Sequence, residues 1–202
     1  MCLIINRTKD SQVNWQAMER AARRNPDGYG VSYTNKQGLQ TFKSMEWTEV
    51  RSVATRLEFQ NLPFIMHMRF ATHGAVTVDN CHPFDLQSHD TVMMHNGMID
   101  TIDVPWGESD SRVLAEFLNE HMSRDFLNDD VSIELIEEVL DSRNKLVFMD
   151  GEGNVTIVNE NLGEWVDGVW YSVRGACRTP RAVSFNPRNP LGDDRTITEV
   201  LN

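Results

Sequence analysis

The chain has 202 residues, 40% of them hydrophobic and 24% charged; that is enough for one domain, and nowhere is there a run of the roughly 18 apolar residues that a membrane-spanning helix needs. Against 19 Lys and Arg stand 30 Asp and Glu, a formal net charge of −11 that repels phosphate backbones and argues against direct nucleic-acid binding. The three cysteines, Cys2, Cys81 and Cys177, have no CxxC spacing and argue against a disulfide framework or a cysteine-rich zinc site.

Leu3 to Ile5 predicts a first strand, too short for the apolar part of a secretory signal, so a cytoplasmic location is expected. Trp15, Met18 and Ala22 recur at helical spacing until Asn25-Pro26, where proline disfavours helix in the residue before it. Val31 to Tyr33 reads as a strand. Trp47, Val50, Ala54 and Leu57 predict a second helix, and strands follow at Phe64 to Ala71 and Thr91 to Met94. "SDSRVLAEFLNEHM" predicts a third helix, with Ser109 or Asp110 as N-cap and Val113, Leu114, Phe117 and Leu118 as its buried stripe. A fourth helix is expected over Ile133 to Leu140, then strands at Lys145 to Met149, Val155 to Val158 and Val169 to Val173, the first two joined by a hairpin turn at "MDGEGN". Strands outnumber helices without regular alternation, which favours an α+β fold with mainly antiparallel sheets. One domain over 1–202 is expected, its polar, proline-punctuated end from about 180 loosely held.

Four stretches could carry chemistry. Removal of Met1 is favoured by a small second residue and would leave Cys2 with a thiol beside a free α-amine. That amine, with a reference pKa of about 7.7–8.0, can take the thiol proton directly or through a water; the alternative is a small buried hydrophobe opening a strand. Arg69 lies on a predicted strand whose other face carries Met66, Met68 and Phe70, so its guanidinium needs an anionic partner, either a ligand carboxylate or a core acid. Thr72, His73 and Gly74 follow at the strand's end, where they could meet a ligand. "VMMHNGMID" runs into Asn96-Gly97, either a plain turn or two donors, the Asn96 amide and the Gly97 N–H, for an oxyanion. Asp110 either caps its helix or grips an ammonium. Six histidines, at 67, 73, 82, 89, 95 and 121, show neither HExxH nor deaminase spacing, so no metal is expected.

In this order, Cys2, "NPDGYG" (25–30), "RFATHG" (69–74), "NCHPF" (80–84), "HNG" (95–97) and "SDS" (109–111) resemble the glutaminase domain of class II glutamine amidotransferases, which have the N-terminal nucleophile (Ntn) hydrolase fold. "NKLVFMDGEGNVTIVNE" and "GVWYSV" resemble the family's closing strands, so the likeness spans about residues 2 to 175. It implies a four-layer αββα sandwich of two antiparallel sheets. It also implies hydrolysis of the side-chain amide of L-glutamine through a Cys2 thioester, without a cofactor. Asn96 and Gly97 would hold the oxyanion, Arg69 the α-carboxylate of glutamine and Asp110 its α-ammonium; Thr72, His73 and Gly74 would line the pocket.

Two positions depart from the family pattern: Phe70 stands where several members have tryptophan, and Arg112 follows "SDS" where an acid is expected. Fewer than 30 residues follow the last matching strand, so the ammonia acceptor is expected on a separate partner enzyme. Small stand-alone relatives occur in bacteria and bacteriophages, some beside genes of nucleotide or purine-analogue modification. The alternatives are a noncatalytic glutamine-sensing subunit on the same fold and a hydrolase of a different amide.

Overall fold

A computed structural model describes residues 2–141 and 143–178. The first strand, β1 (Leu3–Arg7), is buried along its whole length and lies between two antiparallel neighbours. Ile5 faces Met66 of β4 (Phe64–Met68) on one side and Tyr171 of β10 (Val169–Tyr171) on the other. With β2 (Tyr29–Asn35), β3 (Gly38–Ser44) and β9 (Glu164–Val166) these form a six-stranded sheet in the order β3-β2-β4-β1-β10-β9. A second, four-stranded antiparallel sheet runs β5 (Phe84–Leu86), β6 (Thr91–Asn96), β7 (Lys145–Asp150), β8 (Val155–Val158).

The period of two along a strand sorts the side chains into separate cores. Leu3 and Ile5 of β1, with Met66 and Met68 of β4, pack under α1 (Trp15–Arg24) and α2 (Trp47–Phe59) against Met18, Val50 and Leu57. Ile4 and Ile65 point the other way and meet Val92, Met94, Val147 and Met149 of the second sheet, with Trp170 among them. The outer face of the second sheet, with Leu146 and Phe148, is covered by Ala115 and Leu118 of α3 (Asp110–His121) and by Ile136 and Leu140 of α4 (Asp130–Leu140). The layers are therefore helices, sheet, sheet, helices: the αββα sandwich of α+β class that the resemblance implies.

Several boundaries move. β4 stops at Met68 rather than Ala71, because beyond it the backbone of Arg69 pairs with the 25–30 loop: Asp27 N–H donates to the Arg69 carbonyl at 3.0 Å and Arg69 N–H to the Gly28 carbonyl at 2.8 Å. Strands β3, β5 and β9 are additional; two are only three residues long and β3 is mostly polar, which leaves little alternation to read. In α3 the buried row is Ser111, Ala115 and Leu118, and Phe117 is 55% exposed, so the predicted stripe was rotated. Ser109, not Asp110, is the N-cap, its side chain accepting from Arg112 N–H. Asn14 caps α1 in the same way from Ala17 N–H. The hairpin at "MDGEGN" joins β7 to β8, closed by Gly153 N–H to the Asp150 carbonyl at 3.0 Å. The expected loose end from about 180 and the removal of Met1 lie outside the described residues. Among the described residues no helix is long and apolar enough to cross a membrane.

Trp170 has no exposed surface, and its indole N–H donates to the Glu160 carbonyl at 3.1 Å. Trp170→Ala removes the largest side chain between the sheets and is predicted to lower the unfolding free energy by about 3–5 kcal/mol in urea titrations. Phe59→Ala, at a 91% exposed position, is predicted to change it by less than about 0.5 kcal/mol.

Candidate active site

Cys2 immediately precedes β1, at the end of the sheet where β4 gives way to loop. Its Sγ accepts from Phe70 N–H at 3.3 Å and lies 3.5 Å from the Phe70 carbonyl, so the thiol uses both backbone groups of a residue that the strand ladder has released. Burial pushes the Cys2 thiol pKa up, against smaller opposing effects from the Phe70 backbone and Arg69. Cys2 borders a narrow cleft of ≈20 Å³ with Arg69, Phe70, Thr72, His73, Gly97 and Asp110 among its walls. That is room for about one water.

The cleft is roofed by two irregular stretches tied to one another. Arg69, 3% exposed, donates through Nη1 to the Ala75 carbonyl at 3.0 Å and through Nη2 to the His73 carbonyl at 2.9 Å. Asn80 Nδ2 reaches the carbonyls of Ala75 and Gly107, and Ala75 N–H donates to the Gly107 carbonyl at 3.1 Å. Gly74 packs against the Glu108 backbone and lies outside the cleft wall. Arg69 makes no ion pair among the described residues. The guanidinium keeps its Nε–H and one hydrogen on each Nη for another acceptor. Asp110, also buried, accepts from Ile99 N–H at 2.9 Å on Oδ2 and from Ser111 N–H at 2.7 Å on Oδ1, which anchors the 97–109 stretch to α3. Arg112, the departure after "SDS", pairs along the helix with Glu116 at 3.1 Å.

Asn96 ends β6 beneath the cleft. Its Nδ2 donates to Ser172 Oγ at 2.7 Å, and the same hydroxyl accepts from Ile4 N–H at 2.8 Å, so Asn96 is clipped to the strand that Cys2 begins. Oδ1 of Asn96 is buried with no partner among the described residues. A Cβ at Gly97 would lie 2.1 Å from Asn144 Oδ1 and 2.8 Å from Asn144 Cα, so only glycine presents its N–H there. A Cβ at Gly28 would lie 2.1 Å from Cys81 Sγ, and Gly28 has φ +125°, which explains one glycine of "NPDGYG" by the close approach of "NCHPF". Asp27 of the same loop accepts from Ala71 N–H at 2.8 Å and so holds the cleft's rim.

Of the residues read from sequence, the structure brings Cys2, Arg69, Thr72, His73, Gly97 and Asp110 to one cleft; Asn96 and Gly74 stand behind it. Ser172, Asp27 and Asn80 carry support that sequence reasoning missed; only their positions inside the quoted motifs "GVWYSV", "NPDGYG" and "NCHPF" could have marked them. Three histidines are buried nearby, and two of them, His82 and His95, line the cleft. His95 Nε2 donates to Asn144 Oδ1 at 2.8 Å, since an amide oxygen can only accept, and its Nδ1 accepts from the Ser111 hydroxyl at 2.8 Å: a neutral ring with both nitrogens used. His67 Nε2 donates to the His95 carbonyl at 3.1 Å, and the His67 ring stacks 3.9 Å from that of His82, whose two nitrogens have no partner among the described residues. Burial pushes the pKa of all three down, that of His67 to about 3. Among the described residues no group of three His, Cys, Asp or Glu is placed to hold a metal ion.

A folded-state pKa below the unfolded value makes the unfolded chain bind protons first, so this part of the stability is complete above pH about 6.5 and is lost as pH falls towards 3. Unfolding free energy is predicted to drop between pH 6.5 and 5 by roughly 1–2 kcal/mol from His67 alone. His67→Gln, which keeps a donor for the His95 carbonyl, is predicted to flatten the profile in urea titrations at the two pH values.

A family model described as "Glutamine amidotransferases class-II" matches residues 1–166. A Haemophilus influenzae protein provisionally described as a glutamine amidotransferase is 26% identical over 183 residues, 85% of this chain and 60% of its own. The isomerizing glutamine–fructose-6-phosphate aminotransferase of Staphylococcus aureus is 26% identical over 153 residues, 70% of this chain and 25% of its own. The chain thus spans between a quarter and about three-fifths of these two relatives. Among solved structures, the glutamine PRPP amidotransferase of Bacillus subtilis superposes with a TM-score of 0.49 at 16% identity, over 85% of this chain and 41% of that one. The family match covers most of the sequence, and the chain belongs to the class II glutamine amidotransferases.

Proposed function

We infer that this chain, a single glutaminase domain over 1–202, hydrolyses the side-chain amide of L-glutamine through Cys2 and supplies the ammonia to an acceptor on a separate partner enzyme. The observation that carries the reading is a thiol at a cleft that also contains a buried guanidinium, Arg69, with no ion pair among the described residues, and a buried carboxylate, Asp110. A free amino acid has an anion and a cation at one end and, in glutamine, a neutral amide at the other. Arg69 can offer its free N–H groups to the α-carboxylate, and Asp110 has lone pairs left for the α-ammonium. Either charge alone, buried without a partner, is costly; the ligand supplies both partners.

With Met1 removed, the α-amine of Cys2 takes the thiol proton as Sγ attacks the amide carbon. A thiol is a weak nucleophile until its proton is taken, so attack is coupled to this transfer. The carbonyl electrons move onto oxygen, where the Gly97 N–H and the Asn96 amide receive them. Asn96 Nδ2 uses one of its two hydrogens on Ser172 Oγ and keeps the other for the oxyanion. Collapse of the intermediate expels ammonia, which leaves with the proton held by the amine, and water then releases glutamate from the Cys2 thioester. Thr72 and His73 form the exposed side of the cleft wall, where glutamine would approach.

The test is glutamate release from glutamine by protein whose intact mass shows Met1 gone. Cys2→Ala is predicted to abolish release, and diazo-oxo-norleucine to label Cys2 in the parent. Arg69→Gln and Asp110→Asn are predicted to raise KM at least tenfold, on the order of 1.4 kcal/mol of lost substrate binding each. Saturable glutamine binding by the processed protein with no turnover above Cys2→Ala would replace this reading with the noncatalytic sensor.

A further inference from the structure

Cys2 borders a second cavity. A pocket of ≈340 Å³ opens between α1 and the stretch after β10, with Cys2 and Leu3 in its wall. Its volume is in the range of small-molecule sites, roughly 300–1,000 Å³. Small side chains, Ala17 and Ala21, leave the space, and three arginines, Arg20, Arg24 and Arg178, line it. In a chain of net charge −11 this is a local reversal of sign.

The charge is largely uncompensated. Arg178 pairs with Glu164 at 3.3 Å, but Arg20 donates only to the Arg178 carbonyl at 3.2 Å, and neither Arg20 nor Arg24 makes an ion pair among the described residues. The acid next to Arg20, Glu19, is held by Arg51 at 2.5 Å and by the Trp47 indole at 3.0 Å. Arg24, in the last turn of α1, gains from the helix dipole; Arg20 lies outside that turn and has no such reason to be there. One helical turn apart on one face, the two like charges repel, and an anion between them removes the repulsion. Two planar guanidinium forks facing a concave space suit the oxygens of a phosphate or carboxylate.

We propose that this pocket binds a small molecule bearing an oxyanion group, a phosphate monoester or a carboxylate, through Arg20 and Arg24. The ligand then touches the same residue that attacks glutamine, and occupancy alters glutamine turnover. That consequence rests on the function proposed above; the binding does not.

Calorimetric titration of the full chain with inorganic phosphate, a sugar monophosphate and citrate, at constant ionic strength and without glutamine, tests the site. The expected result is saturable binding of one equivalent, weakened at least tenfold in Arg20→Gln/Arg24→Gln and unchanged within about twofold in Arg23→Gln, on the same turn but outside the pocket wall. The phosphate and citrate arms identify the oxyanion. Absence of saturable binding with all three probes to protein of native circular dichroism, or equal weakening by Arg23→Gln, overturns the proposal. Glutamate release is measured in parallel on the same samples: binding without release contradicts the glutaminase reading alone, and release without binding contradicts the pocket alone.

Discussion

The site depends on β1 being a central strand. Flanked on both edges by antiparallel partners, β1 cannot shift register without carrying Ile4 and Ile5 to the wrong cores. The residue before it, Cys2, is thereby held at the mouth of the sheet, opposite the point where β4 releases its backbone. Phe70 N–H, with no strand to donate to, meets the sulfur instead. Ser172, just past β10, bonds Ile4 on one side and Asn96 on the other and so locks the end of the second sheet to the first. The thiol, the released backbone and the Asn-Gly corner are thus brought together by the register of two sheets.

The electrostatics follow from the same layering. His67 and His95 are buried and held neutral, His67 bonding the His95 carbonyl and His95 bonding Asn144 and Ser111 on the helix side of the second sheet. Asn144 in turn crowds Gly97 and fixes where its N–H sits. Arg69 and Asp110 stand under the roof loops without meeting each other in an ion pair among the described residues. Such a pair of separated, buried opposite charges is costly in an empty protein and is relieved by a zwitterion.

Much of this was legible in the sequence where a local pattern carried it. Helical spacing marked α1 and α2 with their buried residues, and the hairpin at "MDGEGN" announced itself by turn chemistry. Edge strands β3, β5 and β9 were not legible, being short or polar and defined by their partners. Phe117 was misread as core because an apolar residue at helical spacing says nothing about which neighbouring row faces the sheet; Ala115 does so here. At the site, residue types were readable but their supports were not. Gly28 answers to Cys81, Gly97 to Asn144 and Asn96 to Ser172, all contacts between segments distant in sequence. Arg69 was expected to need an anion; that two carbonyls of its own loop would hold it in place is a property of the fold.

The most direct test is to trap the covalent intermediate: acid-quench Met1-free protein during turnover of glutamine and map the peptides by mass spectrometry. The account predicts a γ-glutamyl thioester confined to Cys2. Glutamate release with the adduct on Cys81 or Cys177, or with Cys2 never modified, contradicts it.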